Sequence, residues 1–186
     1  METNGADSLK VNAATAEHLP GFFERFEPAN EDAFNAMLEK IYFHLQKNCT
    51  AFTSMLDDVN GNQGEWQILK DIPKNSLNKK TCRDLDKIKK FYYFEVNGDV
   101  TDVTIDKGIW LENFADGTFS KLEFKWTSDC EFDLIFIESN NTIRKNLSSK
   151  GDIYHYGLHE KKDEAYFMWI VNRDGTIMSS PIHVKH

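Results

Sequence analysis

Lys121-Leu122-Glu123-Phe124-Lys125-Trp126 alternates charge with large apolar groups over six residues. A strand places successive side chains on opposite faces, so this is the pattern of a strand with one wet and one buried side. Working outward, the same period of two recurs. Phe91 to Val96 reads as a strand that ends at Asn97-Gly98, and Val103 to Leu111 reads as the next, with Val103, Ile105, Ile109 and Leu111 on one side. Asp116-Gly117 turns the chain into the 121–126 strand. Cys130, Phe132, Leu134 and Phe136 share a face in the strand after it. Ile135 and Ile137 make the opposite face of that strand apolar too, which predicts cover on both sides.

Farther along, a polar connection from Ser139 to Gly151 precedes a strand with Tyr154, Tyr156 and Leu158 on one side. Tyr166 to Val171 is a near-continuous apolar run, and Arg173-Asp174-Gly175 turns it. Ile177 to Val184 returns as an edge strand, since Pro181 lacks the donor a central ladder needs. Six or seven strands without intervening helices must pair mostly antiparallel, because parallel neighbours need long crossovers. Such a meander hides its edges by curving strongly or closing into a barrel.

The first ninety residues follow another rule. Phe34, Met37, Leu38, Ile41 and Leu45 fall on one stripe of period 3.6, after Asn30 as N-cap and with Glu31 and Asp32 at the positive end of the dipole. Asn48 is the expected stop. Phe52, Met55 and Leu56 suggest a second short helix, 57–62 a turn, and Thr81 to Lys89 another helix with Leu85 and Ile88 on its apolar side. Residues 1–20 read as a mobile tail, followed by a Phe22, Phe23 and Phe26 cluster. The fold class is therefore α+β: a single domain over 21–186, with a helical segment 21–90 packed on a β-meander 91–186, the 30–48 helix acting as its lid.

Composition sets limits on function. Fourteen Phe, six Tyr and four Trp supply a real core and exclude a disordered chain. A formal net charge of −8 repels phosphate, which argues against nucleic acid and anionic membranes as partners. No run reaches the length of a membrane span, and no apolar leader precedes the domain, so a cytoplasmic location is the default reading. Cys49, Cys82 and Cys130 have no CxxC spacing. One bridge or three thiols are both open.

No reaction is indicated and no catalytic residue is assigned. Asp58 to Gly64 resembles the start of a calcium loop, but Gln63 and Leu69 stand where Gly and a bidentate acid are required. His155 and His159 lie about 13 Å apart in a strand, too far for a metal pair. Asp99, Asp102, Asp106, Glu112 and Asp116 read as surface charge at turns and on the wet face. Neither a metal nor a cofactor is expected. The aromatic residues Phe124, Trp126, Phe136, Tyr154, Tyr156 and Trp169 are the candidates for a ligand-binding site, since an eight-stranded barrel can hold one small ligand.

Lys125 to Leu134, with its Trp126, Asp129-Cys130-Glu131 and Phe132, resembles a stretch that opens a central strand in small Bacteroidetes envelope proteins with lipocalin-like (calycin) barrels. The resemblance spans roughly residues 105–171 and implies a barrel and an envelope or secreted location; it implies no catalytic residue. Three functions follow as expectations. The first is a non-enzymatic binding module for a small apolar ligand or a protein partner. The others are an acidic inhibitor or immunity-type protein that blocks a basic partner, and a helix-plus-curved-sheet enzyme or scaffold of the nuclear-transport-factor-2-like or cystatin-like kind.

Overall fold

The computed structural model describes residues 17, 20–21, 25, 30–49, 52, 65–95, 97–172 and 175–186. The chain divides into two compact units, Met1–Gly61 and Asn62–His186. Most of the expected tail, the Phe22/Phe23/Phe26 cluster, Met55, Leu56, the 57–62 turn with its calcium-like residues, Val96 and Arg173-Asp174 lie outside the described residues.

In the first unit, helix α1 (Glu31–Asn48) begins as its sequence dictates: the Asn30 side chain accepts from the Ala33 N–H at 2.9 Å. The helix ends at Asn48, whose amide donates to the His44 carbonyl at 2.9 Å. Its buried residue is Phe43, not a member of the expected stripe, and Leu45 is exposed. Aromatic packing explains the difference in part, since the Tyr42 ring meets Phe43 and Phe52 edge-on at 5.3 and 5.7 Å.

The second unit is an antiparallel sheet of nine strands, eight of which close into a barrel. They are β1 (Gln67–Leu69), β2 (Lys90–Phe94), β3 (Val100–Asp106), β4 (Ile109–Asn113), β5 (Phe119–Trp126), β6 (Glu131–Ser139), β7 (Ile153–Lys162), β8 (Ala165–Val171) and β9 (Ile177–Val184). Strands β2 to β9 pair in sequence order and β9 returns to β2. Two short helices, α2 (Lys79–Arg83) and α3 (Leu85–Ile88), precede β2, and α4 (Thr142–Leu147) joins β6 to β7.

Three expectations change here. Val103 to Leu111 is not one strand: Lys107 and Gly108, with φ of 50° and 75°, form a two-residue turn between β3 and β4. The period of two therefore resets, and Trp110 points inward while Ile109 and Leu111 point out. The outer side of β6 is only half covered at Ile135 and Ile137. Strand β9 is not an edge. It pairs along its whole length with β8, and its other flank is shared by β1 at 177–179 and by β2 at 183–184.

The position of Pro181 explains how a proline fits there. The Val184 N–H donates to Glu164 on the β8 side, and the Lys185 N–H donates to Lys90 on the β2 side. Donors alternate along a strand, so the nitrogen of residue 181 faces away from β8. It falls between the stretches held by β1 and β2, where no ladder bond is lost.

Aromatic rings pack across the barrel interior. Rings of Trp110 and Phe132 stack at 6.0 Å, Phe124 and Phe132 lie at 4.8 Å, and Phe132 and Tyr156 at 5.6 Å. Inward alternation on every strand delivers them. One barrel end is plugged by α2 and α3, which bury Cys82 and Leu85 in the core. Cys82 is disulfide-bonded to Cys130, the residue before β6, which decides the open question of pairing; Cys49 is not bridged.

Candidate functional site

At the plugged end the wall opens into a recess of about 370 Å³. Its floor is Ile105 and Phe124, nearly buried inward residues of β3 and β5. Its wall is Trp126, the last residue of β5, which is partly exposed. Asp86, Lys89, Asp106, Lys107 and Gly108 form the rim.

The Trp126 ring is held from two sides. Arg83, on α2, lays its guanidinium over the indole with the carbon 4.1 Å from the ring centroid. Asp86, on α3, accepts from the indole Nε1–H at 3.2 Å. The Arg83 clamp is itself fixed. Arg83 Nη2 donates to the Ser128 carbonyl at 2.9 Å, and the Cys82–Cys130 bridge ties the neighbouring residue of α2 to β6. Phe124 and Phe132 meet the indole edge-on at 5.1 and 5.5 Å. A partly exposed ring held this way presents fixed carbon surface at little entropic cost on binding.

The rim alternates in sign. Lys89 donates to Asp106 at 2.7 Å, and this bond holds the Asp106 carboxyl below the usual carboxylate range. Lys89 adopts φ 65° where α3 ends, and the left-handed turn at Lys107 and Gly108 carries the second lysine to the rim. Lys107 makes no ion pair among the described residues.

The opposite end holds a polar cluster. Glu95 accepts from Arg144 Nη2 with both oxygens, at 2.8 and 3.0 Å, and from Thr101 at 2.9 Å. Arg144 reaches in from α4, above the Phe114 ring. Glu112 accepts from the Trp110 indole at 3.2 Å. The Tyr93 hydroxyl lies 3.3 Å from Glu95 and 3.3 Å from Glu112. Having one proton, it donates to one carboxylate at a time. Burial pushes the Glu112 carboxyl up, against the pull of Arg144 and the Trp110 and Tyr93 hydrogen bonds. Burial also drives the Tyr93 and Tyr156 hydroxyls well above their ordinary value.

The six aromatic candidates do not form one site. Phe124 and Trp126 meet at the recess. Phe136, Tyr154 and Tyr156 also belong to the inner packing, Phe136 buried and the two tyrosines partly so; the Tyr154 hydroxyl bonds Ser148 at 2.7 Å. Trp169 lies on the outer face against Gly157, whose added Cβ would come within 2.3 Å of the indole. His155 is also on this outer face, 45% exposed, with Nδ1 2.7 Å from Asp133.

Of the hairpin carboxylates, Asp102 and Asp106 sit on the surface with Lys185 and Lys89 as partners, and Asp116 binds Thr118. Glu112 is the exception to their reading as wet charge, because it shares the inward phase of Trp110. Glu95, in phase with Phe91 and Tyr93, was missed in the sequence. An acid on the inward phase of an apolar alternation is the signal that marks both. Arg83, Asp86 and Lys89 carried no such signal, since helices distant in sequence bring them to Trp126.

The chain matches no protein-family model and no curated protein. Among the described residues no group of three His, Cys, Asp or Glu could hold a metal ion, and no helix is long and apolar enough to cross a membrane.

Proposed function

We propose that the barrel is a non-enzymatic binding module that takes a small ligand with an apolar face into the recess beside Trp126. The observation that carries this reading is the clamped, partly exposed indole over an apolar floor. A volume of this order suits a small molecule. The ligand sits at the barrel end, since rings occupy the middle. An eight-stranded barrel supports the resemblance to lipocalin-like envelope proteins around 126–134. The Cys82–Cys130 bridge supports an oxidising compartment, which suits an envelope or secreted protein better than a cytoplasmic one.

Nile red, a neutral apolar fluorophore, tests the reading. It gains emission on titration with the protein and quenches tryptophan fluorescence, and both effects fall in a Trp126→Ala variant. No gain with the folded parent, or a gain indifferent to Trp126, contradicts the proposal.

A further inference from the structure

The rim of the recess narrows the class of ligand. Four charged side chains surround the apolar floor: Asp86 and Asp106 are anionic, and Lys89 and Lys107 are cationic. Their formal charges cancel. Within the rim, a ligand carrying a net charge would be drawn by one pair and repelled by the other, while the Arg83 guanidinium beside the rim is committed to the Trp126 face and the Ser128 carbonyl. What the rim does offer is a set of strong acceptors beside strong donors. Asp86 uses one oxygen for the Trp126 indole, and among the described residues the other has no hydrogen bond. Lys107 has its ammonium uncommitted among the described residues, and Lys89 and Asp106 face each other across one bond.

A hydroxyl group is the ligand group that answers both, because it donates to a carboxylate and accepts from an ammonium. A body carrying several hydroxyls on its edge and C–H groups on its faces also matches the floor and wall, where Ile105, Phe124 and Trp126 present carbon. We infer that the recess binds a neutral saccharide, with its C–H surface against Trp126 and Phe124 and its hydroxyls on Asp86 and Lys107. The inference rests on the binding-module reading above and names its ligand class.

The whole protein is titrated with D-glucose, D-galactose, N-acetyl-D-glucosamine and cellobiose, and with gluconate and D-glucosamine as charged counterparts, by intrinsic fluorescence and calorimetry. At least one neutral sugar gives a saturable signal. Asp86→Asn, which keeps an acceptor for the indole, and Lys107→Gln, a change at an exposed rim residue, each weaken it about tenfold, with melting temperature unchanged. Tighter binding of gluconate or glucosamine than of every neutral sugar overturns the inference, as does unaltered affinity in both variants. If no sugar binds but Nile red still reports on Trp126, the ligand class is wrong and the module reading stands. If neither binds, both fall.

Discussion

Removing the Cys82–Cys130 bridge tests how the plugged end is held. The two cysteines are 48 residues apart, and both are almost fully buried. Releasing a loop of that length returns chain entropy to the unfolded state, worth about 4 kcal/mol on the loop-closure model. For a unit of this size that corresponds to a fall in melting temperature of roughly 10–20 °C. Two samples separate bridge from side chain. One is the parent reduced with a phosphine under mild denaturant and returned to buffer; the other is the Cys82→Ala/Cys130→Ala double variant, which adds a packing loss. Both are melted by calorimetry beside the oxidised parent. The reduced protein is expected to show the entropic loss, and the double variant somewhat more. Because the bridge positions α2, and α2 carries Arg83, ligand affinity at Trp126 falls in both samples even where they remain folded. A melting shift under about 3 °C in the reduced protein, less than 1 kcal/mol on the same scale, would refute the reasoning.

Three further outcomes are expected. Gly157→Ala drives a Cβ into the Trp169 indole, so it costs about 1–3 kcal/mol by chemical denaturation and red-shifts tryptophan emission as the ring leaves; an unchanged spectrum and stability contradict the contact. Tyr166→Phe removes a buried hydroxyl that has no hydrogen-bond partner among the described residues, so it is neutral or stabilising by up to about 1 kcal/mol, and a clear loss in the same assay contradicts this. The Glu112 carboxyl is raised in the folded state, so its contribution to stability is present at low pH and lost as pH rises through its folded value; Glu112→Gln is therefore more stable than the parent at neutral pH, and the gap closes as pH falls from that raised folded value down to the ordinary carboxylate range. A gap that widens on acidification reverses the assignment.

The strand pattern was legible wherever one face is wet. Leu122, Phe124 and Trp126 face inward as their alternation with Lys121, Glu123 and Lys125 demands, and Asn30 caps its helix as read. Closure was only an alternative in the sequence, because it depends on the pairing of Tyr92 with His183 and Phe91 with Val184, over ninety residues apart. Strand β1 escaped notice since three residues carry no period, and its Ile68 is exposed. The β3–β4 turn was missed because Lys107-Gly108 lacks the Asn or Asp that usually announces a two-residue hairpin. Part of the recess was visible as Phe124 and Trp126. The rest comes from α3 and its C-cap, the end of β3 and the β3–β4 turn, and the outward place of Trp169 is set by Gly157, a close approach no local pattern reveals.

The most direct measurement is the set of indole N–H resonances of Trp66, Trp110, Trp126 and Trp169, assigned by single Trp→Phe variants and followed while Nile red or a neutral saccharide is added. Binding in the recess predicts a saturable shift at Trp126, whose N–H points at Asp86 on the rim, with Trp110 and Trp169 unmoved. Shifts confined to Trp110 or Trp169, or none at Trp126 at saturation, would contradict it.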